Sequence, residues 1–141
     1  MAEMIRTGGC ACGDIRFEAR GEPYRVGLCH CLVCRKYHGA PFNAFAMFSA
    51  DRVTFTGAAP KVYATSELGR RYFCPACSAP VCTKYGRDDE IELHLGSFDE
   101  PNLFAPTYEA WIPRRENWLS EMRSIVRRYS GNRTGRQRTE P

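Results

Sequence analysis

Residues 29–34 read CHCLVC, so four soft metal donors occupy six consecutive positions. Upstream, GGCACG carries Cys10 and Cys12; far downstream, YFCPACS carries Cys74 and Cys77. A CxxC turn places two thiolates within reach of one tetrahedral ion at about 2.3 Å each. One such pair cannot close the shell. A second pair from a distant segment completes it and fastens the two segments together. Cys10, Cys12, Cys74 and Cys77 are therefore read as a closed four-cysteine zinc site, structural because no position is left for a substrate. Gly8, Gly9 and Gly13 give the backbone freedom to turn around the ion and to aim N–H groups at sulfur.

Cys29, Cys31 and Cys34 form a different kind of site. Three thiolates from one short loop can hold a second zinc with its fourth position open, the arrangement of a catalytic centre. The alternative is a closing protein ligand. Cys82 is the main candidate, and His30, His38 and His94 are weaker ones. Cys82 follows Pro80 and Val81 in an apolar stretch and is expected to be a core thiol. His94, beside Glu92 on the polar side of an alternating run, is expected to be exposed. Zinc with three thiolates carries a net charge of −1, which makes it a modest Lewis acid suited to a thiol substrate. Arg35 and Lys36 directly follow the cluster and can offset that charge or bind a substrate carboxylate; otherwise they are solvated charge. No catalytic side chain is assigned. Two groups of four and three cysteines suit two zinc ions better than an iron–sulfur cluster.

The eight cysteines of this 141-residue chain could also pair as four disulfides. MAEMIRTGG has no apolar leader and no apolar run reaches membrane-spanning length. The expected location is the cytoplasm, where thiols stay reduced and clustered cysteines bind metal. The formal charge of +4 is unevenly placed, since residues 1–120 carry 14 basic and 14 acidic side chains, and residues 121–141 carry six arginines against Glu121 and Glu140. A neutral body argues against a nucleic-acid surface on the domain and leaves that possibility to the tail.

The elements that must hold these cysteines read as short strands. In DIRFEAR, Ile15, Phe17 and Ala19 alternate with charged residues, and RVTFTG, EIELHLG, AFAMF and TYEAWI are strand-like too. One helical turn is expected after CHCLVC. Near the end, Trp118, Leu119, Met122, Ile125, Val126 and Tyr129 recur at helical spacing opposite Arg123, Arg127 and Arg128, with Asn117 as N-cap and Gly131 as stop. The expectation is a basic amphipathic helix, packed on the domain or on a second copy in a homodimer, followed by an unstructured SGNRTGRQRTEP.

GGCACGDIRFE, CHCLVCRKYHGAPF, RRYFCPACSAPV, LGSFDEP and YEAWIPRRENWL, in this order across residues 7–119, resemble the glutathione-dependent formaldehyde-activating enzyme family, which includes centromere protein V. The resemblance implies a mostly β, Mss4-like fold of short antiparallel strands around zinc, occupying residues 3–119, with residues 120–141 as the C-terminal basic helix and tail. It implies zinc at both cysteine groups and carbon–sulfur lyase chemistry, joining a small thiol such as glutathione to formaldehyde or the reverse. Ser78 stands where the family usually has glycine, and Cys82 where it has a large apolar residue. Two functions follow: a zinc-dependent carbon–sulfur lyase, or a non-enzymatic zinc module that docks a partner through its basic helix.

Overall fold

The structure is a computed structural model that describes residues 3–86 and 88–133. Its strands are β1 (Ile5–Gly9), β2 (Ile15–Arg20), β3 (Arg25–Cys29), β4 (Asn43–Ser49), β5 (Val53–Gly57) and β6 (Lys61–Ala64). They continue with β7 (Gly69–Phe73), β8 (Pro80–Tyr85), β9 (Glu90–His94), β10 (Tyr108–Ala110) and β11 (Arg127–Arg128). The α-helix among the described residues, α1 (Leu32–His38), follows the CHCLVC loop, as expected. Three single-turn 3-10 helices complete the secondary structure.

Two sheets form, one in the order β1-β2-β5 and one in the order β11-β10-β3-β4-β9-β8-β7-β6. Pairing is antiparallel except at β10, which runs parallel to both β3 and β11. The fold is thus mostly β, with a mixed larger sheet. The alternation read in DIRFEAR is real: Ile15, Phe17 and Ala19 of β2 are buried. They pack with Ala46 and Phe48 of β4, Val81 of β8 and Ile91 and Leu93 of β9, so the small sheet covers one face of the large one.

Successive strand residues point to opposite faces. Phe45, out of phase with Ala46, therefore belongs to a second core with Cys29, Cys31, Cys34, Tyr108 and Trp111. The large sheet is covered on both sides along β4 and β9. This corrects the expectation for His94, which is 4% exposed. Alternating polarity predicts an exposed face only for a strand covered on one side.

The expected C-terminal amphipathic helix is absent. Arg127 and Arg128 form β11, the Val126 N–H bonds the Thr107 carbonyl and the Tyr129 N–H bonds the Glu109 carbonyl. Of the apolar stripe, Ile125 is buried while Trp118 and Val126 are exposed. An isolated short helix is marginal in water, whereas β10 offers backbone groups that require partners. Asn117 therefore caps no helix. Gly131 is buried and accepts from the Trp111 N–H, and Asn132 accepts from the Trp111 indole, so order extends into the segment expected to be unstructured. Residues 134–141 of that segment lie outside the described residues.

Candidate functional site

The β1–β2 turn and the β7–β8 turn bring Cys10, Cys12, Cys74 and Cys77 together, with all four sulfurs within 4.8 Å of one another. Cys10 and Cys12 Sγ are 3.7 Å apart, and Cys12 and Cys74 Sγ 3.8 Å. Two ligands at about 2.3 Å and a tetrahedral angle would be about 3.8 Å apart, so the quartet has the spacing of a zinc shell. Backbone N–H groups support it: Ile15 donates to Cys10 Sγ at 3.2 Å and Ala76 to Cys74 Sγ at 3.4 Å. The Gly13 backbone also hydrogen-bonds the Cys10 thiol, which with Ile15 and the neighbouring thiols holds it below its ordinary range despite burial. Gly13 contributes a left-handed φ of 84° that closes the first turn. Backbone hydrogen bonds from Ala79 and then Cys12 bring the Cys77 thiol down to about 6. Cys12 is pushed up to about 12, against its backbone bond to Asp14, by desolvation and its thiol neighbours. All eight cysteines are free thiols, which removes the disulfide alternative.

The second group is Cys29, Cys31 and Cys34, again within 4.8 Å of one another, and all buried. No fourth histidine, cysteine or carboxylate among the described residues joins it at that spacing. Cys29 ends β3, and Cys31 is the N-cap of α1, its sulfur accepting the Cys34 N–H at 3.3 Å. Three thiols this close cannot ionise together without a cation. Hydrogen bonding to Cys31 and Cys34, with burial, pushes Cys29 well above its ordinary range. Cys34 is pushed up to about 12: its hydrogen bond to Cys29 opposes the rise, and Cys31 and burial drive it. The donor set fits a soft divalent ion.

Cys82 takes no part. It packs with Leu93 and Val81 in the core facing the small sheet. Its neighbour Thr83 faces the other way, toward Arg71 and His94. Burial pushes the Cys82 thiol up to about 12, as befits an apolar core residue.

Arg35 and Lys36 follow Cys34 on α1. Arg35 donates to the Pro41 carbonyl at 3.0 Å and to Glu116 at 2.7 Å, anchoring α1, and Lys36 is exposed. A cation beside the cluster is Arg71 of β7, which is fully buried. Its Nη1 lies 3.8 Å from Cys34 Sγ and donates to Tyr85 Oη at 3.0 Å, while Nη2 has no hydrogen-bond partner among the described residues. Burial disfavours its charge, but Tyr85, Cys34 and Glu92 more than compensate, and the guanidinium stays charged. Glu92 is buried too; it accepts from Asn43 at 3.1 Å and lies 3.6 Å from His94 Nε2, and hydrogen bonding to His94 with the nearby Arg71 holds the carboxyl low despite burial. His38 stacks edge-on against His94 with ring centroids 4.4 Å apart, and burial brings His38 down to about 3, so it is neutral.

A cavity of about 630 Å³ is lined by Gly9, Cys10 and Ala11 together with His38, Asn43 and His94; Cys29, Cys31 and Cys34 are not in its lining. Arg35 and Lys36 are not part of its lining. Sequence reasoning missed Arg71, although RRYF contains a signal: adjacent arginines on a strand face opposite ways, so a strand with even one covered face must bury one of them.

Comparison with curated proteins gives no match. Among solved structures, a crystal structure of a Rhodobacter sphaeroides protein superposes with a TM-score of 0.57 at 18% identity, over 69% of this chain and 91% of that one, which supports the fold alone. The family description "Glutathione-dependent formaldehyde-activating enzyme" matches residues 5–114, well over half of the chain and both cysteine groups. With the same two groups assembled at ligand spacing in the structure, the chain belongs to the glutathione-dependent formaldehyde-activating enzyme family.

Proposed function

We propose that the protein is a zinc-dependent carbon–sulfur lyase acting on the adduct of a small thiol, such as glutathione, and formaldehyde or a similar small aldehyde. It would work in a reducing, cytoplasmic setting, on the Mss4-like scaffold that the family resemblance implies. The observation that carries this reading is the buried trio of Cys29, Cys31 and Cys34, which has three donors where the neighbouring group has four. Zinc held by the quartet would be structural, and zinc held by the trio would offer its remaining position to a thiol and favour that thiol as thiolate.

In the forward direction a C–S bond forms between the thiol sulfur and the aldehyde carbon, the thiol loses its proton and the carbonyl oxygen gains one. The reverse step breaks the same bond. Around this chemistry the chain supplies charge and shape. Arg71 offsets the thiolates from inside the protein, and its burial makes that charge effective. The cavity between His38, Asn43 and the Cys10 turn is large enough for a short peptide thiol. No helix among the described residues is long and apolar enough to cross a membrane. The alternative of a docking module loses the basic helix on which it rested.

The test is to follow formaldehyde with glutathione, cysteine and neutral thiols by NMR, with and without the zinc-loaded protein. The expected outcome is faster exchange between free and adduct signals for at least one thiol, abolished in Cys31→Ser. Exchange at the uncatalysed rate with every thiol, with two zinc ions bound, would refute the enzyme reading.

A further inference from the structure

In an extended backbone, residues i and i+2 point the same way and the residue between them points away. Cys29 and Cys31 flank His30 in this manner, so His30 is directed into the protein, where it is fully buried. Its Nε2 donates to Glu109 Oε1 at 3.0 Å, and its backbone N–H donates to the Ala110 carbonyl at 3.1 Å. The parallel pairing of β3 and β10 sets Ala110 opposite Cys29 and brings Glu109 to this spot. Gly27 permits the register, since a Cβ there would lie 2.5 Å from the Tyr108 ring.

Glu109 is itself fully buried, and two cations hold it besides His30, whose own charge burial disfavours. Arg115 Nε donates to Oε1 at 2.9 Å, and Arg128 Nε lies 3.3 Å from Oε2. Burial alone would raise this carboxyl, but Arg115 and His30 bring it below the ordinary range. Arg115 also donates to the Ser120 carbonyl, and the Tyr129 N–H bonds the Glu109 carbonyl. The C-terminal segment therefore reaches Glu109 through both side chain and backbone.

We propose that Glu109 is a positioning residue for the three-cysteine site: through His30 it holds Cys29 and Cys31 at ligand spacing, and β11, through Arg128, is the strap that keeps Glu109 in place. The proposal rests on the reading of Cys29, Cys31 and Cys34 as a metal site. It assigns the C-terminal segment to the site's support, where the sequence suggested a separate basic element. Partners that orient metal-site residues from outside the ligand shell typically change metal affinity by about 10–100-fold when removed.

The test uses the full chain loaded with zinc and titrated with a competing chelator, so that two metal affinities are read. Cys31→Ser identifies which of them belongs to the trio. Glu109→Ala should weaken the trio's affinity by about 10–100-fold and leave the quartet's unchanged. Glu109→Gln, whose amide oxygen can still accept from His30, should recover most of the loss. Arg128→Ala, on a side chain 38% exposed and so less critical to folding, should give a smaller loss at the same metal. Equal weakening of both metals, or none in Arg128→Ala and Glu109→Ala alike, would overturn the proposal. A wild-type protein that takes up a single metal would instead refute the metal-site reading beneath it, and the proposal would fall with that reading.

Discussion

Ser78 holds a φ of 64°, a left-handed conformation, at the turn that follows Cys77. Its N–H bonds the Cys74 carbonyl at 2.8 Å, so the turn needs this geometry whatever the side chain. A non-glycine residue there costs about 1–2 kcal/mol, and glycine would return part of that as lost chain entropy. Ser78→Gly should therefore raise stability by about 0.5–1 kcal/mol, seen as a melting temperature a few degrees higher, with metal content unchanged. A lower melting temperature would show that the serine side chain makes a compensating contact. The position was legible as a departure from the family pattern, and the structure supplies its physical meaning. Arg71 shows the opposite case: its basic charge was plain in RRYF, but its burial beside Cys34 depends on strands distant in sequence.

At the scale of elements, the small sheet is tied to the turn after β9 by Asp99. Thr7 Oγ1 donates to Asp99 Oδ2 at 2.6 Å, Arg16 Nη1 donates to Oδ1 at 2.9 Å, and the Asp99 N–H bonds the Thr7 carbonyl. The hydrogen bond from Arg16, then that from Thr7, brings the Asp99 carboxyl from 3.8 down to about 2. A carboxyl held below its unfolded value stabilises the fold above that value and loses the contribution as pH falls toward its folded one. The stability gap between wild type and Asp99→Asn should thus be steady above about pH 5 and shrink between about 4 and 2. Both side chains are about two-fifths exposed, so the gap should stay below about 1 kcal/mol and narrow in high salt. Chemical denaturation across that range checks this, and a gap that widened toward low pH would contradict it. Most strands were legible because alternation in β2 and β9 reports one buried face. The second buried face of β9 was not, since no local pattern says that α1 covers it. The C-terminal segment misled for a related reason: helical spacing of apolar residues carries no information about the free edge of β10 that captures Arg127 and Arg128.

Across the whole molecule, there are two cysteine groups of unequal number, and a buried cation and a buried carboxylate network stand behind the smaller group. The groups themselves were legible because thiol spacing within a turn is a local property. Their support was not, because Arg71, Glu92 and Glu109 arrive from β7, β9 and β10. The central claim is that the trio keeps a position for a thiol while the quartet does not. Cobalt loaded in place of zinc at both groups reports this through its thiolate absorption. Adding glutathione should change the spectrum of one of the two ions, and Cys31→Ser should remove that response while the quartet's spectrum persists. A spectrum indifferent to every thiol tried, with both groups fully loaded, would contradict the account.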